Sequence, residues 1–199
     1  MECERKPLSR VMQIIIKDEF PSLSNLAINA SDEEEILQLE GLNLPQLQKL
    51  ILRGQLKETM LESPLFKISR DSIQMLRLGW SQLQIDPLPY FSHYINLTFL
   101  NLRRAYEGQR LIFQAGWFPK LKRLELKLMP NLIQVEMEQG TMASLEKIGL
   151  WVLEQLVEVP KGIEHLIPLK WMYCIDMPVD FGGLAKGTHQ LFHFTCRVF

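Results

Sequence analysis

The sequence predicts an open α/β solenoid, a coil of short stacked strands joined by return segments. Three observations carry that prediction. A six-residue pattern, apolar-x-x-apolar-x-apolar, recurs along the chain, its copies begin at nearly constant intervals, and several are entered through a proline. The pattern opens as Leu23-Ser-Asn-Leu26-Ala-Ile28 and begins again at Leu47, Ile73, Leu97, Leu121, Leu145 and Leu169. Those starts lie 24, 26, 24, 24, 24 and 24 residues apart. A helical bundle or a sandwich has no reason to keep so even an interval.

Taken in order, residues 1–22 read as a partial N-terminal turn, 23–180 as a leucine-rich-repeat domain of about seven repeats, and 181–199 as a divergent C-terminal tail. In the first part, Leu8 to Phe20 is expected on the convex side, with Pro7 suited to a helix start. Each copy of the pattern then reads as a strand. In Leu121-Lys-Arg-Leu124-Glu-Leu126 the last two leucines share one face, because strand side chains alternate, and Leu121 enters from the preceding corner. One such strand is too short to stand alone. Stacked with its neighbours it makes a concave parallel sheet whose leucines fill a continuous core, each burial contributing roughly 1.5–3 kcal/mol. Phe20-Pro21, Leu44-Pro45 and Phe118-Pro119 sit just before the first apolar position, and Ile167-Pro168 repeats the device one residue later. Proline biases its predecessor away from helix, so the chain is expected to enter these four strands extended. The convex side is expected to hold short helices, such as Lys161 to Ile167, and irregular turns, such as Glu62 to Phe66.

The bulk numbers exclude several functions. Lysine and arginine number 22 against 23 acidic residues, so no global field draws the chain to nucleic acid or an anionic membrane. Cys3, Cys174 and Cys196 are too few and too scattered for a disulfide framework. The apolar run Ile14-Ile15-Ile16 is too short for an export signal, and no segment is long enough to span a membrane. Asn96-Leu-Thr98 spells a glycosylation sequon, but Leu97 reads as a core residue. The string from Gly182 to Thr188 lacks the order of a phosphate loop. His189 and His193 stand four residues apart with no third metal ligand nearby. Asp32-Glu-Glu-Glu35 reads as a solvated loop. No pattern of catalytic residues is recognisable, and no cofactor or metal is expected.

The candidate site is the exposed face of the predicted sheet. Its positions include Lys49, Arg77, Phe99, Arg103, Arg123, Lys147, Trp151, Trp171 and Tyr173, with Arg53, Trp80, Glu125 and Lys127 nearby. Aromatic residues and arginine are common anchors of protein interfaces. Basic residues outnumber acidic ones along the middle of this face, which suits an acidic partner surface. A mixed, merely solvated face is the plainer alternative.

The run Leu145-Glu-Lys-Ile-Gly-Leu150, followed by Leu156-Val-Glu-Val-Pro160 and Asp176-Met-Pro178, resembles the last repeats of plant disease-resistance receptors of the intracellular coiled-coil, nucleotide-binding, leucine-rich-repeat type. Phe118-Pro-Lys-Leu-Lys-Arg-Leu-Glu-Leu126 and Leu44-Pro-Gln-Leu-Gln-Lys-Leu-Ile-Leu52 are similar in the same way. The resemblance implies a cytoplasmic protein-binding module in plant immune recognition or receptor regulation. It implies a pathogen effector, a guarded host protein or a receptor nucleotide-binding domain as the partner. Extracellular plant repeats place asparagine three residues past the pattern. This chain has Ser31, Gln55, Ser81, Ala105, Met129, Leu153 and Met177 there, which favours the intracellular group. Two other roles are open: the substrate-adaptor repeats of a ubiquitin ligase, which normally follow an F-box segment, and a scaffold or inert receptor fragment. Self-association through uncovered sheet edges is expected.

Overall fold

The computed structural model describes residues 10–15, 22–181 and 193–198. Pro7, Phe20, Pro21, His189, Phe192, Phe199 and the 182–188 string lie outside them. The core of the molecule is a parallel sheet of eight strands. In chain order these are β2 (Asn25–Asn29), β4 (Lys49–Arg53), β6 (Met75–Gly79), β7 (Phe99–Arg103), β9 (Arg123–Lys127), β11 (Lys147–Trp151), β12 (Trp171–Met177) and β13 (His193–Val198). Each pairs with the next copy in the chain. The register is uniform: Leu50, Leu76, Leu100, Leu124, Ile148 and Met172 stand side by side, as do Leu52, Leu78, Leu102, Leu126, Leu150 and Cys174. All twelve are fully buried, and so are the corner residues Leu47, Ile73, Leu97, Leu121 and Leu145. The repeat interval is thus the register itself, since a slip of one residue would turn every core side chain toward solvent.

Two backbone ladders extend the sheet beyond its strands. At the entrance, Ser24, Gln48, Gln74, Thr98, Lys122 and Glu146 each accept two N–H groups from the following turn. At the exit, the N–H groups of Gly54, Trp80, Arg104, Leu128 and Val152 donate to the carbonyls of Gly79, Arg103, Lys127, Trp151 and Ile175. This exit row is left-handed: φ is 58° at Trp80, 46° at Arg104, and 53° at Leu128, Val152 and Asp176. The bend turns the following side chain inward, so Ser81, Ala105, Met129, Leu153 and Met177 are buried where other repeats carry asparagine. Main-chain pairing satisfies the exit N–H groups, and apolar burial takes the place of an amide.

The other side of the coil carries more strand than expected. A three-stranded parallel sheet joins β1 (Val11–Ile15), β3 (Ile36–Glu40) and β5 (Gln55–Leu56), and a two-stranded one joins β8 (Arg110–Phe113) to β10 (Gln134–Met137). Residues 11–15 were expected beside a helix start. They form a strand instead, rich in β-branched residues that lose rotamer freedom in a helix. The segment read as irregular around Pro64 holds a short helix, α1 (Pro64–Ile68), with its proline in the first turn. A missing N–H costs nothing there. A second short helix, α2, spans Leu88–Phe91. The expected helix near Lys161 is a single 3₁₀ turn, Ile163–His165, preceded by Gly162 in the left-handed region.

The C-terminal strand β13 was not expected. It continues the sheet from β12, setting Phe194 beside Met172 and Cys196 beside Cys174. The pattern is present in the sequence as Leu191-Phe-His-Phe194-Thr-Cys196, begun 22 residues after Leu169. The shorter interval concealed it. Among the described residues no helix is long and apolar enough to cross a membrane.

Candidate functional site

Strand alternation presents the first, third and fifth residue of each strand on the face away from the core. From β2 to β12 the first row runs Asn25, Lys49, Met75, Phe99, Arg123, Lys147, Trp171. The second runs Ala27, Ile51, Arg77, Asn101, Glu125, Gly149, Tyr173, and the third Asn29, Arg53, Gly79, Arg103, Lys127, Trp151, Ile175. Seven cations stand in this array, against Glu125 as its single carboxylate. The chain as a whole carries a net charge of −1, so the charge is segregated by face, which pairwise composition does not reveal.

The cations are arranged around aromatic rings. The Arg53 guanidinium lies 3.5 Å from the Trp80 ring centroid. Arg77 and Arg123 cover Phe99 from adjacent strands, at 4.9 and 5.5 Å. Phe99 is thereby only 8% exposed, which corrects its reading as a solvent-facing anchor. A ring between two guanidinium groups gains cation–π attraction and loses its own contact surface. Lys49, Arg77, Arg103 and Arg123 are exposed, and Lys147, Trp151, Trp171 and Tyr173 are half-buried.

Over the last three of these strands the face forms a depression of about 290 Å³, lined by Arg123, Glu125, Lys147, Gly149, Trp151, Tyr173 and Ile175. Gly149 decides its shape. A Cβ at that position would meet the Trp151 ring at 1.8 Å, so the indole lies across the glycine and forms one wall. Lys127 sits 3.9 Å from the same ring and binds Glu125 at 2.9 Å. Asn101 also donates to Glu125. Trp171 stacks on Tyr173 with their planes 3° apart and centroids 6.2 Å apart. The structure therefore brings Arg123, Lys147, Trp151 and Tyr173 together, with Trp171 behind them, while Lys49, Arg77 and Arg103 stand apart on earlier or outer positions. Gly149 and Ile175 were missed by sequence reasoning. The signal was available: Gly149 is the only glycine of its row, two residues before a tryptophan.

Other groups singled out in the sequence have structural roles. Asn96 donates to the Asp71 carbonyl at 2.7 Å and accepts from Lys120 at 2.7 Å, tying three turns together. The acidic loop is less solvated than expected. Glu33 pairs with Arg104, and its carbonyl accepts from Gln82, whose side chain also accepts from Gln55. Among the described residues no group of three His, Cys, Asp or Glu side chains is placed to hold a metal ion.

With the geometry in hand, comparison with known proteins decides the kinship. No family model matches the chain. Over 153 residues it is 34% identical to Disease resistance protein RPM1 of Arabidopsis thaliana, a match covering 76% of this chain and 16% of that protein. This chain is a homologue of plant disease resistance proteins. It is also 25% identical over 154 residues to Probable disease resistance protein RXW24L, which covers 77% of this chain and 16% of that protein. Disease resistance RPP8-like protein 3 is 29% identical over 99 residues, 49% of this chain and 11% of that protein. Both come from Arabidopsis thaliana. The chain thus spans about a sixth of the length of the first two relatives. The solenoid of this disease-resistance homologue is the parallel-sheet repeat that its sequence interval predicted.

Proposed function

We propose that this chain is a protein-recognition module in plant defence, working in the cytoplasm and holding an acidic partner surface on the open face of its main sheet. Its work is binding rather than catalysis. The observation that carries the reading is the charge separation: seven cations and one carboxylate on that face, in a chain of net charge −1. Such a face steers an oppositely charged partner and suppresses others. The half-buried rings of Trp151, Trp171 and Tyr173 supply aromatic contact area beside the cations. A pathogen effector, a guarded host protein and a receptor nucleotide-binding domain are the partner classes that fit kinship with disease resistance proteins.

The test is capture of partners from infected and uninfected plant tissue by the wild-type chain and by a double variant, Arg77→Glu with Arg123→Glu. Partners held by the open face are lost by the double variant and by wild type in high salt, and are kept by Arg110→Ala, a change to an exposed residue on the opposite side. Capture that survives the charge reversal moves the interface elsewhere.

A further inference from the structure

We propose that the depression between β9, β11 and β12 receives one apolar side chain of an acidic linear peptide, whose flanking carboxylates are held by Arg123 and Lys147. This rests on the reading of the open face as a protein-recognition surface and gives that surface a specific ligand chemistry.

The charges make the first part of the case. Arg123 and Lys147 are direct register partners on neighbouring parallel strands, whose backbones lie about 4.8 Å apart. Like charges placed directly opposite repel and destabilise the pair. Neither side chain has an ion-pair partner among the described residues. The nearby Glu125 directs its Oε2 to Lys127 and Asn101 and forms no ion pair with Arg123 or Lys147. An incoming carboxylate between Arg123 and Lys147 removes the repulsion and forms a charge-assisted contact with each.

The walls make the second part. Trp151, Tyr173 and Ile175 line the depression, and only the absence of a side chain at Gly149 lets the indole edge reach over that position. The Trp171–Tyr173 stack holds the far wall rigid. A space of about 290 Å³ is too small for a folded surface to enter, and suits one side chain with its neighbours lying over the rim. Apolar walls inside a cationic rim select a peptide of matching pattern: a leucine, methionine or aromatic residue with aspartates or glutamates two positions to either side. In an extended peptide side chains two residues apart point to the same side, so the apolar residue enters while carboxylates two positions before or after it meet the rim.

The experiment is selection of a random twelve-residue displayed peptide library on the immobilised full chain. Enriched sequences are then synthesised with a fluorophore and measured by anisotropy. The expected result is convergence on a single apolar residue with Asp or Glu two positions before or after it. Affinity should fall roughly tenfold for Lys147→Glu and for Gly149→Ala, and change less than about twofold for Lys49→Ala. Serine in place of the apolar residue should weaken binding as Gly149→Ala does. Thermal melts of each variant establish that it is folded, and Lys147→Glu, at a half-exposed site, keeps the test decisive if Gly149→Ala does not fold. Enrichment without the acidic-apolar pattern, or no enrichment, overturns the proposal. So does acidic binding indifferent to both the serine change and Gly149→Ala. That last outcome would leave the basic face intact as a docking surface, and the capture experiment judges that broader reading separately.

Discussion

Phe99 shows how a residue's role depends on what lies over it. Its position on an outward row gives it the pattern of an exposed anchor, yet Arg77 and Arg123 cover it. Phe99→Ala is therefore expected to lower stability by about 2 kcal/mol, mostly through lost burial and partly through lost cation–π contact. Urea unfolding checks this, and a loss under about 0.5 kcal/mol, typical of exposed changes, would return Phe99 to the solvent. Asp86 illustrates a half-buried charge. Burial raises its carboxyl above the ordinary value of 3.8, with the Leu88 N–H pulling the other way. A carboxyl that holds its proton more tightly when folded favours the fold below its unfolded pKa, and loses that contribution as pH rises through the folded pKa. Asp86→Asn keeps an acceptor for the Leu88 N–H and carries no charge. It should match or exceed wild-type stability at pH 7, and its advantage should shrink toward pH 3, where Asp86 is protonated. The opposite pH trend in chemical unfolding would show that the ionised form is favoured by the fold.

At the scale of the element, the unit is one turn: a strand, a left-handed exit residue, an inward side chain and a return segment. The left-handed conformation strains every side chain but glycine, and a β-branched one most. Val152 occupies it at φ 53°, while its neighbour Leu153 is fully buried. Val152→Gly is expected to leave stability unchanged or raise it by up to about 1 kcal/mol. Leu153→Ala should cost about 2–5 kcal/mol through the cavity it opens. Equal losses from both in a thermal denaturation series would mean that the exit bend is held by Val152 itself rather than by the buried residue after it. The return segments are where sequence reasoning was least secure. Their strands and helices are no more than five residues long, and their conformation follows from neighbours in the stack more than from their own propensities.

For the whole molecule, the parallel sheet leaves edges. Leu23 and Leu26 of the β2 turn are only partly buried, whereas their equivalents Leu47 and Leu50 in the next turn are fully so. An incompletely covered strand invites pairing with another chain. The 199-residue polypeptide is expected to self-associate at tens of micromolar, which sedimentation velocity measures directly. A concentration-independent monomer with slow amide exchange in β2 would refute this. The depression proposed to hold a peptide lies on β9, β11 and β12, away from that edge, so self-association and peptide binding should be independent. The repeat interval made this architecture readable before any coordinates, because every pattern leucine had to occupy the same place in every turn. The last strand escaped because Leu191 comes two residues early, and an interval search rejects what a stacking strand tolerates.

By itself the sequence determined the fold class, the register of the first seven strands of the main sheet and the buried rows. All follow from two local quantities, the alternation of side chains along a strand and the spacing between copies. Only the tertiary structure decided which outward residues form a site. Arg123, Lys147, Trp151 and Tyr173 lie on three different strands, and no local pattern says that Arg77 and Arg123 meet over Phe99. Those outcomes depend on side-chain packing between turns that are 24 residues apart along the chain, where neighbours in space are strangers in sequence.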